Sequence, residues 1–167
     1  MTGKEHNIRK MPIIFDISEI YQIAVAIEEN GIKFYSMWAK KSKNKKIKEL
    51  FSTLADMEVE HKKIFNKMLS EIKKYEPKEA YPEEYFLYLK AYADGIIFNF
   101  DELKKQQSKL KTTSQVLTYA IQREKDSILY YQEAKNIVPK YQADQLEKII
   151  NEERRHLLDL SYIKKTL

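Results

Sequence analysis

Two Glu-x-x-His pairs, Glu58/His61 and Glu153/His156, constrain this chain more than any other feature, and they use two of its three histidines. Each pair has a carboxylate upstream. Glu28 lies thirty residues before Glu58, and Glu124 lies twenty-nine before Glu153. The chain therefore carries a degenerate internal repeat. Residues at i and i+3 share one face of a helix, so each Glu/His pair can grip the same ion. One Glu from each of two helices, with Glu-x-x-His from the other two, is the ligand set of a carboxylate-bridged two-metal site inside a four-helix bundle. The repeat predicts a shape and a chemistry together.

The bulk properties agree with that shape. A chain of 167 residues suits one domain with a real core, and only three glycines and four prolines among abundant Lys, Glu, Ile, Leu and Tyr read as mostly helical. There is no cysteine, which excludes disulfides, Cys-ligated zinc, iron–sulfur clusters and a Cys₄ iron centre. It is also compatible with a reducing cytosol. The first ten residues are polar and charged, and no apolar run reaches membrane-spanning length. Neither a signal peptide nor a membrane helix is expected, and the cytoplasm is the default location. A net charge of +5 and a pI near 9.1 raise nucleic acid as a partner. The basic residues, however, are scattered among acids. The densest run, Lys40 to Lys46, falls where a helix–helix turn should be and reads as a solvated turn, so no nucleic-acid partner is expected.

Residues 1–15 read as an extension, with Pro12 and an apolar Ile13-Ile14-Phe15; residues 16–167 read as the bundle domain. Asp16-Ile17-Ser18-Glu19 resembles a capping box, with Ser18 as the alternative cap, opening a first long helix that runs to about Lys40. Ile20, Ala24, Ile27, Phe34 and Trp38 give it an apolar side. A second runs from about Lys45 to Lys74, with Phe51, Leu54, Ala55, Phe65 and Met68 inward. A long connection follows, in which Pro82-Glu83-Glu84 starts a short helix and Asp94-Gly95 ends it. The apolar stretch Ile96 to Phe100 then needs cover. Thr112-Thr113-Ser114 offers caps for a third long helix reaching about Val138, and Pro139 marks the next turn. The fourth runs from about Gln142, carrying Leu146, Ile149, Ile150, Leu157 and Leu160. The expected fold is all-α: two antiparallel hairpins joined by a long crossover that contains a short helix.

The turns test the site independently. The midpoint between Glu28 and Glu58 is Lys43, inside the first predicted turn; that between Glu124 and Glu153 falls between Val138 and Pro139, at the second. Each acid is then about fifteen residues, or ~22 Å of helix, from its bend. Antiparallel helices would bring both pairs to one level.

The faces agree. Glu28 shares its surface with Ala24, Gly31 and Tyr35, and Glu58 with Phe51, Leu54, Ala55, His61 and Phe65. Glu124 lies with Leu117, Ala120, Ser127 and Tyr131, and Glu153 with Leu146, Ile149, Ile150, His156 and Leu157. Four carboxylates in apolar stripes would each cost several kcal/mol if buried unpaired; shared cations offset that cost. A lone Glu-x-x-His is usually surface, but two copies with matched upstream acids are not. By contrast, Glu60 and Glu152 stand near Lys63, Lys148 and Arg155 and read as exposed. Glu29 competes with Glu28; the spacing of seven from Glu28 to Tyr35, repeated from Glu124 to Tyr131, favours Glu28. Either tyrosine can donate to a ligand carboxylate, although both also read as core residues with a polar tip. His6 reads as surface.

The segments Ala26–Tyr35, Ala55–His61, Ala120–Tyr131 and Asn151–His156 resemble the rubrerythrin branch of the ferritin-like superfamily over roughly residues 16–165. The resemblance implies a ferritin-like bundle in which Glu28, Glu58, His61, Glu124, Glu153 and His156 bind two iron ions, with Glu58 and Glu153 bridging. Hard carboxylates with one imidazole per metal suit iron or manganese, and zinc can also occupy such a site. Two departures stand out. The 167 residues cannot form the Cys₄ rubredoxin domain of rubrerythrins proper, and Ser127 stands where they carry an extra glutamate. Ser127 and its counterpart Gly31 should leave open volume beside the metals for peroxide, dioxygen or a small carboxylate.

The function expected is a non-haem di-iron oxidoreductase that reduces peroxide or dioxygen, with a separate electron-donor protein such as a rubredoxin as partner. Iron handling, with the site oxidising Fe²⁺, is the alternative, and a metal-free helical interaction module the third. The apolar segments outside the long helices suggest a homodimer.

Overall fold

The computed structural model describes residues 17–72, 83–97 and 100–167. Among these are six helices and no strand. They are α1 (Ile17–Lys41), α2 (Lys45–Glu71), α3 (Glu83–Ile96), α4 (Phe100–Ser108), α5 (Thr113–Lys135) and α6 (Lys140–Thr166). The hairpins α1/α2 and α5/α6 carry the densest contacts, and α3 and α4 lie in the connection between them. This is the ferritin-like four-helix bundle.

The ends of the long helices follow local chemistry. Asn44 caps α2, its side-chain oxygen accepting from the Ile47 amide at 3.2 Å. Thr112 caps α5 in a full capping box, the Gln115 side chain returning to the Thr112 amide at 3.1 Å. Pro139 precedes α6 and supplies no side-chain cap, but its fixed φ suits a helix start. Both hairpin turns fall at the expected midpoints, and Lys40, Lys41, Lys43, Lys45 and Lys46 are exposed around the first.

The crossover differs from the sequence reading. Its first helix runs through Gly95 to Ile96, and a second helix, α4, follows. Leu103 and Gln107, one turn apart, are buried on one face of α4. Lone charges and glutamines hide that short amphipathic pattern. Ile96 and Ile97 pack against the bundle's own core, so the cover they require comes from within the chain. The proposed Asp16 cap, Ile13-Ile14-Phe15 and His6 lie outside the described residues.

The core forms two apolar clusters. One gathers Ile20, Tyr21, Phe65, Met68, Tyr130 and Ile150; the other gathers Phe34, Phe51, Leu54, Leu117, Ala120 and Leu160. Every long helix passes from one cluster to the other, and the six candidate ligands occupy the stretch between. Ile27, Trp38 and Leu157, expected on inner faces, are only partly buried. Gln142 ties three helices together in the first cluster. It accepts from the Tyr21 hydroxyl and donates to the Met68 carbonyl at 3.3 Å.

Candidate metal centre

The structure brings Glu28, Glu58, His61, Glu124, Glu153 and His156 into one buried cluster, none of them more than 4% exposed. Their donor atoms fall into two groups, Glu28/Glu58/His61/Glu153 and Glu58/Glu124/Glu153/His156, each with all atoms within 4.8 Å of one another. Glu58 and Glu153 belong to both groups. His61 Nδ1 lies 2.9 Å from Glu153 and 3.5 Å from Glu58; His156 Nδ1 lies 2.9 Å from Glu153 and 3.8 Å from Glu58. A step of three along α2 is thus matched by three backwards along α6, so the two helices run antiparallel through the site. The two imidazoles stack with centroids 5.7 Å apart.

The tyrosines reach across the bundle. Tyr35 donates to Glu124 and Tyr131 donates to Glu28. Glu29, the competitor, instead pairs with Lys62 at 2.7 Å near the surface. Gly31 lets the Glu58 side chain approach α1 closely. A Cβ there would lie 3.1 Å from Glu58 Cγ and 3.2 Å from its Cδ. The space beside Gly31 is therefore filled largely by the Glu58 carboxylate.

So many acids in a dry interior cannot all ionise unaided. Burial and then repulsion from Glu153 and Glu28 hold Glu58 well above the usual carboxylate range, and burial and Glu153 push Glu124 up to about 8. Glu153 goes the other way. Burial opposes its ionisation, but contacts from His156 and His61 outweigh it and hold the acid low. Burial disfavours a charged imidazole, yet the surrounding carboxylates raise His61 far above its usual value and His156 to about 10. Glu28 Oε2, Glu153 Oε1 and His61 Nδ1 are buried without a hydrogen bond. Unpaired oxygen and imidazole donors converging in two four-residue groups fit a pair of cations, which would replace the shared protons.

A cavity of about 30 Å³ adjoins the cluster between α1 and α5. It reaches Glu58, Glu124 and Tyr35, and Gly31, Ser127, Phe34, Ile96 and Leu103 help to wall it. That volume holds roughly two water-sized molecules. Ser127 Oγ donates back to the Arg123 carbonyl at 3.0 Å.

Fold and site together define a ferritin-like carboxylate bundle with two buried Glu/His groups able to hold metal ions. Residues 19–161 match the rubrerythrin family, and the chain belongs to it. A solved structure from Thermotoga maritima, described as a ferritin-like diiron-carboxylate protein, is similar at 30% sequence identity and a TM-score of 0.65. The likeness covers 90% of this chain and 95% of that one. No curated protein matches the chain significantly.

Two features escaped the sequence reading. Glu152 is not simply exposed. Its carboxylate is about 40% exposed and meets His61 Nε2 at 2.8 Å. Lys148 and Arg155 place it on the helix edge, but that edge borders α2. Glu60 does face solvent, paired with Lys63 at 2.6 Å. The second feature is Asp126, buried beside the cavity. It holds Arg123 at 2.6 Å and accepts from Tyr92 at 3.2 Å and Gln122 at 2.8 Å. The i, i+3 spacing of Arg123 and Asp126 was the available signal.

Among the described residues, no helix is long and apolar enough to cross a membrane.

Proposed function

We propose that the protein is a di-iron oxidoreductase that reduces peroxide or dioxygen with electrons from a separate donor protein. The observation that carries this reading is the sharing of Glu58 and Glu153 between two buried ligand groups, beside a cavity large enough only for small molecules. When bound, an iron pair supplies two electrons and two adjacent Lewis-acid positions.

The chain's own residues do the rest. Glu58 and Glu153 face both positions, while Glu28 with His61 and Glu124 with His156 each face one. Tyr131 and Tyr35 orient Glu28 and Glu124 and keep a proton at their hydroxyls. The cavity walls at Ile27, Phe34, Ile96 and Leu103 exclude bulk water and select for size. Native iron, rather than manganese or zinc, is part of the proposal, as is a homodimeric state.

Metal analysis of anaerobically purified protein should find two iron ions per chain, with peroxide turnover by the reduced form. His61→Ala and His156→Ala should each lose one ion, and joint replacement of Glu58 and Glu153 should lose both. Full occupancy after that double replacement would sink the ligand set. Oxidation of Fe²⁺ with release of ferric iron, and no peroxide turnover, would replace this reading with iron handling.

A further inference from the structure

The repeat is symmetric in its ligands but not in what stands behind them. Each imidazole faces the cluster with Nδ1 and turns Nε2 outward. His61 Nε2 meets Glu152 Oε2 at 2.8 Å, whereas His156 Nε2 meets the thioether of Met57 at 3.2 Å. Met57 and Glu152 are equivalent positions, each one residue before a shared glutamate. A carboxylate is acceptor-only and takes a strong bond from an N–H; a thioether accepts weakly.

The inner sides differ less. His61 Nδ1 makes no hydrogen bond, and Glu28 Oε2 and Glu153 Oε1, its neighbours in the same group, also make none. His156 Nδ1 is engaged with Glu153 Oε2 at 2.9 Å in hydrogen-bond geometry. Both imidazoles thus stand 2.9 Å from Glu153, and on this inner side they differ only in alignment, His156 in hydrogen-bond geometry and His61 out of it.

Resting on the di-metal reading above, we propose that Glu152 is a positioning residue that makes the two metal positions unequal. By accepting the Nε2 hydrogen of His61, it fixes the ring so that Nδ1 faces the cluster, ready to take a cation in exchange for its proton. The Glu28/Glu58/His61/Glu153 position then fills first and more tightly, and the His156 position fills second. Removal of such an outer partner weakens metal binding about tenfold to a hundredfold, which is large enough to set the order.

Anaerobic titration of metal-free full-length protein with Co²⁺, followed by calorimetry and visible absorption, tests this without reference to turnover. Two steps are expected, separated by at least about tenfold in Kd. Glu152→Leu should weaken the first step and leave the second, so that the steps merge. Met57→Glu should tighten the second step, a gain that a merely structural role would not produce; Met57 is only half-buried, so the added carboxylate reaches water. His61→Ala should abolish the tight step and His156→Ala the weak one. Unchanged steps in Glu152→Leu, or a tight step that follows His156, would overturn the proposal. Two equivalent steps in the unaltered chain would overturn the inequality alone. Uptake of fewer than two ions would overturn the di-metal reading beneath it.

Discussion

Tyr35 on α1 donates its hydroxyl hydrogen to Glu124 on α5, 89 residues away. Tyr131 on α5 returns the contact to Glu28 on α1. Seven residues forward along α1 match seven backwards along α5, so these helices too run antiparallel, and each holds the other's glutamate. Burial, then the adjacent carboxylate, keeps both phenols well above their ordinary pKa. They remain donors throughout the neutral range.

Removing either hydroxyl leaves a buried carboxylate without that donor. Tyr35→Phe and Tyr131→Phe should each cost the metal-free protein about 1–3 kcal/mol, by similar amounts because the contacts are equivalent. Urea denaturation measures both. A negligible loss in either variant would mean that the hydroxyl does not hold its glutamate.

Gly31→Ala should separate folding from metal binding. Alanine favours a helix interior over glycine by about 1 kcal/mol, but its Cβ would crowd the Glu58 side chain at 3.1 Å. Glu58 faces both metal positions, so its displacement should weaken both ions by about tenfold, while metal-free stability stays level or rises. Equal affinity in variant and parent would show that Glu58 yields without losing its place.

The clustering of the six side chains and their level in the bundle were legible because both rest on spacing. Four acids equidistant from two turns must meet when helices fold back, and Glu28 rather than Glu29 follows from its face. What could not be read was contact between helices that are far apart in sequence. A tyrosine's own helix does not say that Tyr35 holds Glu124 and not Glu28. Glu152 looked solvent-bound from its neighbours on α6, while its partner, His61, is on α2. The crossover was obscured for another reason. Asp94-Gly95 reads as a stop, yet packing of Ile96 and Ile97 on the core carries α3 one residue further and leaves room for α4.

The stabilisation that metal confers should grow with pH. Glu124 rises from 4.5 to about 8, and Glu58 is also raised. The folded metal-free protein thus retains protons that the unfolded chain has released. Their contribution to stability is complete below about 4.5 and is lost as pH climbs toward about 8. Glu153 has the opposite sign: held low, its contribution is present above 4.5 and fades only in acid. Cations must displace the retained protons, so metal affinity should rise over the interval in which metal-free stability falls. The melting-temperature gap between loaded and metal-free protein should widen from about pH 5 to about pH 8. Calorimetry in buffers of different ionisation heat should count protons released on binding. A gap independent of pH would mean that the acids are already ionised in the metal-free fold.

Ser127 decides how much room remains beside the cluster. It lines the cavity that reaches Glu58 and Glu124, and its hydroxyl is turned back onto the Arg123 carbonyl. Ser127→Glu would send a longer side chain and a charge into a space of about 30 Å³. Arg123 and Asp126 pair at the outer edge of that face. It would exclude an external anion and, by adding negative charge beside the metals, favour their oxidised state. Azide affinity should fall by about tenfold or more, corresponding to about 1.4 kcal/mol, and the reduction potential should drop. Anaerobic redox titration and azide-dependent absorption, run on parent and variant, give both quantities. If neither moves, the side chain at 127 does not enter the cavity, and small oxidants must approach the cluster from another side.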